Sequence, residues 1–219
     1  VPVGVDITRE EAIAKAEDMF TKLGLSDMHL ALTIPAFLND SEQCWMFMYV
    51  PTVNGIPVSV YKRNMDAYYA THSSTKEDYN SLFYNPMVSF YIDDSEICMQ
   101  WEGPLDLLET LNENAALLPF DQIQERNQQQ LPIQYAAKEG VTEVHVTRVE
   151  LSYMRARIKD TQDGYMLIPV WDVIGYNDEP IKNPFDGTTG PRVNPEDFLE
   201  TLLTISAIDG SVLNRRLGY

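Results

Sequence analysis

The fold class is decided by three apolar stretches in the C-terminal third of the chain, VHVTRVELSYMRARI (144–158), YMLIPVWDVIG (165–175) and LLTISAIDGSVL (202–213). Each stretch is rich in β-branched and aromatic residues, and turn-forming residues separate one from the next, which is typical of consecutive strands. No nucleophile motif, metal-ligand cluster or phosphate-binding loop lies among them. The stretches therefore indicate the class of fold, but they do not indicate a reaction.

The first of these stretches changes phase part of the way along. Its apolar residues occupy even positions up to Val146 and odd positions from Val149 onward. Because neighbouring side chains of a strand point to opposite faces, a change of parity needs one extra residue in the strand. The pattern predicts a β-bulge near Thr147 and Arg148.

A helix is predicted at about residues 8–23. Thr8 and Glu11 have the spacing of a capping box, in which each side chain accepts a hydrogen bond from the backbone N–H of the other residue. Gly24 follows as a C-terminal stop. The apolar stripe of this helix, at three- and four-residue spacing, consists of Ile13, Ala16, Phe20 and Leu23. Such a helix needs a sheet on which to bury its stripe.

Strand patterns follow this helix. Residues 44–50 are apolar at every position, which indicates a central strand covered on both faces. Asn54 and Gly55 lie between two apolar residues, the strongest short signal for a β-hairpin. The other strands predicted in the first half are residues 28–34, 56–60, 87–92 and 97–101, with an extension over 103–111.

A second helix is predicted from Pro119, because a proline fits the first turn, where its missing N–H would be unpaired in any case. Ile123, Leu131 and Tyr135 give this helix a thin apolar stripe. Pro132 should kink or end it, since a proline inside a helix removes a hydrogen bond and clashes with the preceding turn. Residues 176–197, rich in Asn, Asp, Pro and Gly, are predicted to be a loop.

A helix followed by strands thus occurs twice. We predict an α+β fold of two tandem units, residues 1–114 and 115–219, each with a helix packed on an antiparallel sheet of three to four strands. The segments Ile92-Asp-Asp-Ser95 and Ile208-Asp-Gly-Ser211 match each other at the turn that leaves an apolar strand. This match favours an internal duplication.

The charge of the chain limits its partners. Its 219 residues include 33 Asp and Glu against 16 Lys and Arg, a formal net charge of −17. Such a surface repels phosphate backbones and anionic lipid head groups, so nucleic acid and direct membrane binding are not expected. The two cysteines, Cys44 and Cys98, form no CxxC motif, and the sequence leaves open whether they are joined.

Three short segments of the second half carry a family resemblance. They are Leu151-Ser-Tyr153, Tyr165-x-Leu-Ile-Pro-Val-Trp171 and Ile205-Ser-Ala-Ile-Asp-Gly-Ser211. With these residues the second half resembles PepSY-like domains of extracytoplasmic bacterial proteins, and most of all the C-terminal half of YycI-type regulators of a cell-wall sensor kinase. The whole chain also resembles lipoproteins of gut Firmicutes.

This resemblance implies an α+β fold built from tandem PepSY-like units, export to the cell surface, and no enzymatic activity or cofactor. The family has no catalytic residue set that could be carried over to this chain. A protein or peptide of the cell envelope is the implied partner. Membrane attachment is expected only through a lipid anchor outside this chain.

The candidate ligand-binding residues are aromatic. Residues 64–86 lack clean periodicity and are interpreted as a long excursion from the sheet. Large, stiff aromatic side chains are common on recognition surfaces, although they serve equally well to cover the open face of a sheet. The aromatic residues of the excursion are Tyr68, Tyr69, Tyr79, Phe83 and Tyr84. An alternative function is therefore the binding of glycan or peptidoglycan fragments by this excursion.

Arg155 and Arg157 are candidate partner-binding residues. They stand out against an acidic background and, at a spacing of two, share one face of a predicted strand. Guanidinium groups recognise carboxylates with two parallel hydrogen bonds. The two arginines either dock a carboxylate-bearing partner or pair internally with some of the excess acids.

Catalysis and metal binding lack a recognisable constellation in the sequence. His72 is the only histidine in a plausible site, beside Ser73 and Ser74, whereas His29 and His145 fall within strand patterns. No HxxxH, HExxH or EF-hand spacing occurs, so no metal site is expected. We therefore expect a non-enzymatic binding or regulatory module that recognises protein or peptide outside the cytoplasm.

Overall fold

The computed structural model describes most of the chain as two compact α+β units. It describes residues 2–37, 43–58, 86–102, 106–136, 138, 140–158, 165–179, 181–182, 189–190 and 200–214. The described residues of the first unit lie within 2–58 and 86–110, and those of the second lie within 111–214. The described strands form a five-stranded, a three-stranded and a two-stranded sheet, all antiparallel, which confirms the α+β class.

The elements are numbered in chain order. The first unit contains α1 (Arg9–Leu23), β1 (Met28–Phe37), β2 (Gln43–Val53), β3 (Ile56–Pro57), β4 (Met87–Ile92) and β5 (Ile97–Glu102). The second unit contains α2 (Phe120–Ala136), β6 (Val144–Arg157), β7 (Tyr165–Asn177), β8 (Ile181–Lys182), β9 (Thr189–Gly190) and β10 (Glu200–Ser206).

Helix α1 begins and ends as its sequence predicts. The Glu11 backbone N–H donates to Thr8 Oγ1 at 3.2 Å, and the Thr8 N–H donates to Glu11 Oε2 at 3.0 Å, which completes the capping box. Gly24 is in the left-handed region with φ of 67°, and the Leu25 N–H behind it donates to the Phe20 carbonyl at 3.0 Å. The predicted helix is confirmed at both ends.

The core of the first unit is aromatic. Phe20 on α1 meets Tyr49 and Phe90 edge to face, with ring centroids 4.7 and 5.1 Å apart. The Trp45 indole N–H donates to the Ile7 carbonyl at 3.0 Å, which ties the approach to α1 onto β2. These rings and the fully buried Ala16 account for the close packing of α1 on the sheet.

The first sheet has the strand order β1-β2-β4-β5, with β3 paired to β2 as a hairpin. Strand β2 is therefore central, as its apolar residues predict. Asn54 and Gly55 both have positive φ, 52° and 77°, as the hairpin prediction requires. The return strand β3 covers Ile56 and Pro57, and the Val58 N–H still donates to the Pro51 carbonyl at 2.8 Å. The last two residues of the predicted strand, 59 and 60, lie outside the described residues.

The predicted strand extension over 103–111 is wrong for residues 106–111, which are not in a strand. Leu108 is 92% exposed, and Leu107 and Leu111 are also largely exposed. The apolar residues of this segment do not alternate with polar ones. A strand with this sequence would therefore have no single apolar face to bury against the core.

The second sheet has the strand order β10-β7-β6, and α2 covers one of its faces. Helix α2 does not end at Pro132, because it continues to Ala136. The side-chain amide of Gln134 donates to the Leu202 carbonyl at 2.8 Å, and Tyr135 packs against the core. These tertiary contacts hold the last turn where the sequence predicted a kink or an end.

Strands β8 and β9 form a short hairpin inside the predicted loop of residues 176–197.

The predicted bulge is confirmed in β6. The pairing of β6 with β7 shifts between Val146 and Arg148, which leaves Thr147 as the extra residue. The Thr147 hydroxyl donates to the Ile174 carbonyl at 3.0 Å. Gly175 pairs with Val146, and a Cβ at this glycine would lie 1.9 Å from the His145 carbonyl oxygen. The strands therefore approach too closely here for any residue other than glycine.

The two units share a connectivity. Each begins with a helix, which two antiparallel strands follow. In both units the register of this strand pair shifts after the third residue of its first strand. A later strand then pairs with the other side of the second strand of the pair. The matching turns are also alike, since Asp93 Oδ1 accepts from the Ser95 N–H at 2.7 Å and Asp209 Oδ1 accepts from the Ser211 N–H at 3.0 Å.

These two turns do not occupy equivalent sheet positions. Trp45 pairs with Ile92, directly before the first turn. Trp171 pairs with Ile205, so the second turn lies three residues further on. The four-residue sequence match therefore reflects the same local turn chemistry at shifted positions.

Replacement of Thr8 tests the cap of α1. We expect Thr8→Ala to lower the free energy of unfolding by about 1 kcal/mol, because the Glu11 backbone N–H loses its acceptor. Thr8→Ser keeps the hydroxyl and should stay close to the wild type. Urea unfolding of the three proteins measures both effects, and an equal loss for the two variants would contradict the cap.

Replacement of Gly175 tests the bulge. We expect Gly175→Ala to destabilise by about 1–3 kcal/mol, because the new methyl group overlaps backbone rather than a movable side chain. Gly55→Ala is the matched control, since Gly55 has a φ of +77° but open space around it. If thermal unfolding shows Gly175→Ala to be the milder change, the close approach of the strands is not as described.

Candidate binding groove

A groove runs between helix α2 and strand β6. Its volume is about 220 Å³. The lining side chains are four apolar groups and three amides: Phe120, Ile123, Gln124, Asn127, Gln128, Val146 and Val149. The helical members recur at three- and four-residue spacing, which places them on one face of α2.

The bulge in β6 makes the strand side of this groove. In a regular strand Val146 and Val149 would point to opposite faces, because their positions differ in parity. The extra residue Thr147 restores the phase, so both valines line the groove. The shift of apolar residues from even to odd positions in β6 is thus the reason that both valines lie on the groove side of the strand.

The groove has an apolar floor and a partly exposed rim. Ile123 is buried, whereas Phe120 and Val146 are 48% and 43% exposed. The Phe120 ring packs on the Trp171 ring, with centroids 5.0 Å apart. Large apolar side chains that stay half exposed beside a concave surface are typical of interaction sites.

One of the lining residues, Asn127, has a buried amide oxygen. Asn127 Oδ1 is buried and has no hydrogen-bond partner among the residues that the structure describes. Leaving a buried acceptor unpaired costs about 1–3 kcal/mol. A ligand that brings an N–H or O–H group to this depth would remove that cost.

The groove is small for a cofactor. Sites for drug-sized molecules occupy roughly 300–1,000 Å³, and this groove has about 220 Å³. It can receive one or two side chains. Within the described chain, strand β6 is also an edge of the three-stranded sheet. An edge strand beside a side-chain pocket is one of the recurring arrangements that bind extended peptides.

The predicted aromatic cluster lies outside the described residues. Tyr68, Tyr69, Tyr79, Phe83 and Tyr84 all belong to a stretch of which the structure gives no description. The aromatic ligand site therefore stays a prediction.

The two predicted arginines lie on β6, away from the bulge. The Arg155 guanidinium is 4.4 Å from the centre of the Tyr165 ring, a cation–π contact. Burial lowers the pKa of Arg155. Arg157 is the register partner of Tyr165 in the pairing of β6 with β7, and its side chain is not among those that the structure describes. Arg155 therefore packs on a ring, and the pairing of the two arginines with carboxylates, of a partner or of this chain, stays a prediction.

The described histidines lie in strands, as predicted. His29 pairs with Val50 in the first sheet. His145 stacks on Tyr176 at 4.7 Å, and its Nε2 is 3.1 Å from Glu143 Oε2. His72 lies outside the described residues.

A buried polar trio joins the three strands of the second sheet. The Asp172 carboxylate is fully buried, and it accepts a hydrogen bond from the Ser152 hydroxyl at 2.5 Å and from the Thr204 hydroxyl at 2.8 Å. These two bonds link β6, β7 and β10.

The two cysteines are not joined. Cys44 is buried and Cys98 is exposed, and both are free thiols. Burial raises the pKa of the Cys44 thiol to about 11, so it resists conversion to the reactive thiolate.

Two further features bear on function. The described residues contain no group of three or more His, Cys, Asp or Glu side chains that could hold a metal ion. None of the described helices is both long enough and apolar enough to cross a membrane.

Comparison with known proteins gives no relative. No protein-family model, no curated protein and no solved structure matches the chain. The resemblance to PepSY-like and YycI-type domains therefore stays a prediction.

A carboxylate at the entrance to β6 gives a test by pH. Asp178 accepts hydrogen bonds from the backbone N–H groups of Thr142 and Glu143 at 2.8 and 3.0 Å, and from the Thr142 hydroxyl. These bonds lower the pKa of Asp178 from 3.8 to about 2, and the bond from the Glu143 N–H has the largest effect. Its folded pKa is below its unfolded value, so its contribution to stability is present above pH 3.8 and is lost as the pH falls toward 2.

We expect an NMR titration to place the Asp178 pKa near 2 in the folded protein. The free energy of unfolding of the wild type should fall in acid in part because Asp178 becomes protonated. Asp178→Asn should lack this part of the fall. Thr142→Val is the matched control, because it removes the hydroxyl donor and leaves both backbone donors. A folded pKa at or above 3.8 would show that these hydrogen bonds do not form.

Proposed function

We propose that this protein is a non-enzymatic, extracytoplasmic binding or regulatory module, part of a secreted lipoprotein, and that it recognises a protein or peptide segment in the groove between α2 and β6. One observation supports this most directly. In the part of the chain that the structure describes, the groove opens beside an edge strand, and the described side chains that line it include no ionisable group.

The lining residues favour binding over catalysis. A general acid or base needs a group that gains or loses a proton near the working pH. The groove offers amides and hydrocarbon instead. These groups hold a ligand through hydrogen bonds and apolar contact, but they do not transfer protons at neutral pH.

The shape of the site favours an extended peptide. A segment that pairs with β6 would place alternate side chains over the groove, with an apolar one against Ile123 and Val149. A neighbouring donor, such as a backbone N–H or a hydroxyl, would satisfy the buried oxygen of Asn127.

The location outside the cytoplasm rests on the resemblance to PepSY-like domains and lipoproteins. The net charge of −17 favours a protein partner over nucleic acid or an anionic membrane surface. Tandem PepSY-like units are part of the same proposal, supported by the connectivity that the two units share. Fractionation of native cells tests the location, because recovery in the cytosol alone would contradict it.

Peptide selection tests the groove. Linear peptides selected on the wild type should bind Val146→Glu at least about tenfold more weakly, because a carboxylate in the groove would lose its hydration. Ile208→Glu is the matched control, since Ile208 lies in the same unit and is 47% exposed against 43% for Val146. Affinities come from calorimetry, and both variants should unfold at the same urea concentration as the wild type.

Two outcomes would contradict the groove. One is the failure of every peptide to discriminate Val146→Glu from Ile208→Glu. The other is the binding of peptidoglycan fragments with an affinity that Val146→Glu leaves unchanged, which would favour the alternative site in residues 64–86.

A further inference from the structure

A leucine-rich segment, Asp-Leu-Leu-Glu-Thr-Leu at residues 106–111, lies exposed and outside any helix or strand. Leu107, Leu108 and Leu111 are 57%, 92% and 68% exposed. Burial of a leucine side chain is among the main sources of folding energy, and these three leucines leave it unused. Packing within the chain therefore does not account for them.

The backbone of this segment is equally free. Residues 106–111 form no hydrogen bond or ion pair with the part of the chain that the structure describes. Strand β5 ends before them at Glu102, and after them the Leu118 N–H donates to the Ala207 carbonyl at 2.8 Å. A segment without bonds of its own can be drawn into an extended conformation at little cost.

Other exposed apolar residues are held by their surroundings. Phe120 and Ile133 lie within α2, and Val146 pairs with Gly175 in the second sheet. Ile208 lies in a turn, where its backbone N–H donates to the Ser206 hydroxyl oxygen at 3.3 Å. A protease has to seat its substrate as an extended, unpaired strand, so helices, paired strands and bonded turns resist cutting. The segment 106–111 has the opposite properties.

A cut in this segment would leave both described cores whole. The segment lies where the described residues of the first unit give way to those of the second. The described core of the first unit comes from residues 5–49 and 88–92, and that of the second begins at Leu118. The described residues that line the groove, from Phe120 to Val149, all lie after the cut.

We propose that residues 106–111 are a proteolytic cleavage site, at which an endoprotease whose S1 pocket accepts leucine hydrolyses the bond between Leu108 and Glu109. Leu108, the most exposed of the three leucines, enters the pocket. The protease supplies the catalytic groups, and water is the other reactant. The C–N bond breaks, the water oxygen joins the Leu108 carbonyl carbon to give a carboxylate, and Glu109 leaves with a free amino group. This proposal does not depend on peptide binding in the groove.

Limited proteolysis of the intact chain with chymotrypsin tests the site, because the S1 pocket of chymotrypsin is a hydrophobic slot. A synthetic peptide of residues 104–113 is the reference for an unprotected site. Mass spectrometry should show that the chain is cut between Leu108 and Glu109 within about tenfold of the rate for the peptide. A site that opened only by global unfolding would be cut roughly a thousandfold or more slowly.

Two variants separate the leucines from a general effect on the protein. The double variant Leu107→Asp/Leu108→Asp should slow this cut at least about tenfold, because an apolar S1 pocket does not accept a carboxylate. Ile208→Asp is the matched control, since Ile208 is 47% exposed but lies in a bonded turn, and it should leave the rate unchanged. Both variants alter exposed side chains and should unfold at the same urea concentration as the wild type.

The native cells supply the last test. Mass spectrometry of natural N-termini should find a form of this protein that begins at Glu109. The proposal is overturned if the cells contain only chains intact at this bond, or if chymotrypsin cuts the chain a thousandfold more slowly than the peptide. Equal cutting of the two variants between residues 108 and 109 would overturn it as well.

Discussion

The second unit depends on the close approach of two backbones, Gly175 on β7 and His145 on β6. A Cβ at Gly175 would lie 1.9 Å from the His145 carbonyl oxygen, so the strands can meet there only at a glycine. This approach accommodates the extra residue Thr147, whose hydroxyl is held by the Ile174 carbonyl. Val146 and Val149 then point to the same side of β6, and together they form the strand wall of the groove.

The position of α2 leaves this wall uncovered. The buried residues beneath the helix come mainly from β7 and β10, as Val173, Leu203 and Ile205 show. Strand β6 contributes only partly buried side chains to that core, among them Val149. The Gln134 amide anchors the end of α2 to the Leu202 carbonyl, on the side of the sheet away from β6. A helix placed in this way covers two strands and leaves a groove along the third.

Local patterns were predictable from the sequence because their causes are local. The capping box of Thr8 and Glu11 and the Asn54–Gly55 hairpin each depend on a few adjacent residues. The bulge at Thr147 was predictable because a change of parity leaves a record in the order of apolar residues. The end of α2 was not, since a tertiary bond from Gln134 outweighs the local effect of Pro132.

The groove could not be predicted, because its two walls are separated in sequence and meet only through tertiary packing. Asn127 and Gln128 belong to a polar run of residues 127–130, a composition typical of a helix face exposed to water, and only their position in the groove with Val146 gives them a role in binding. The polar trio of Asp172 was equally hidden, since its hydroxyl partners come from two other strands. The one available signal was Asp172 itself, an acid within an apolar strand pattern.

Hydrogen exchange along β6 tests the central claim most directly. In the complex with a selected peptide, the account predicts slower exchange of backbone amides in residues 145–150 and in the helical face at 120–128, with little change in the first unit. Slower exchange in those two segments would show that an extended chain lies along the edge strand and over the groove. Unchanged exchange there, with protection elsewhere in the molecule, would contradict the account.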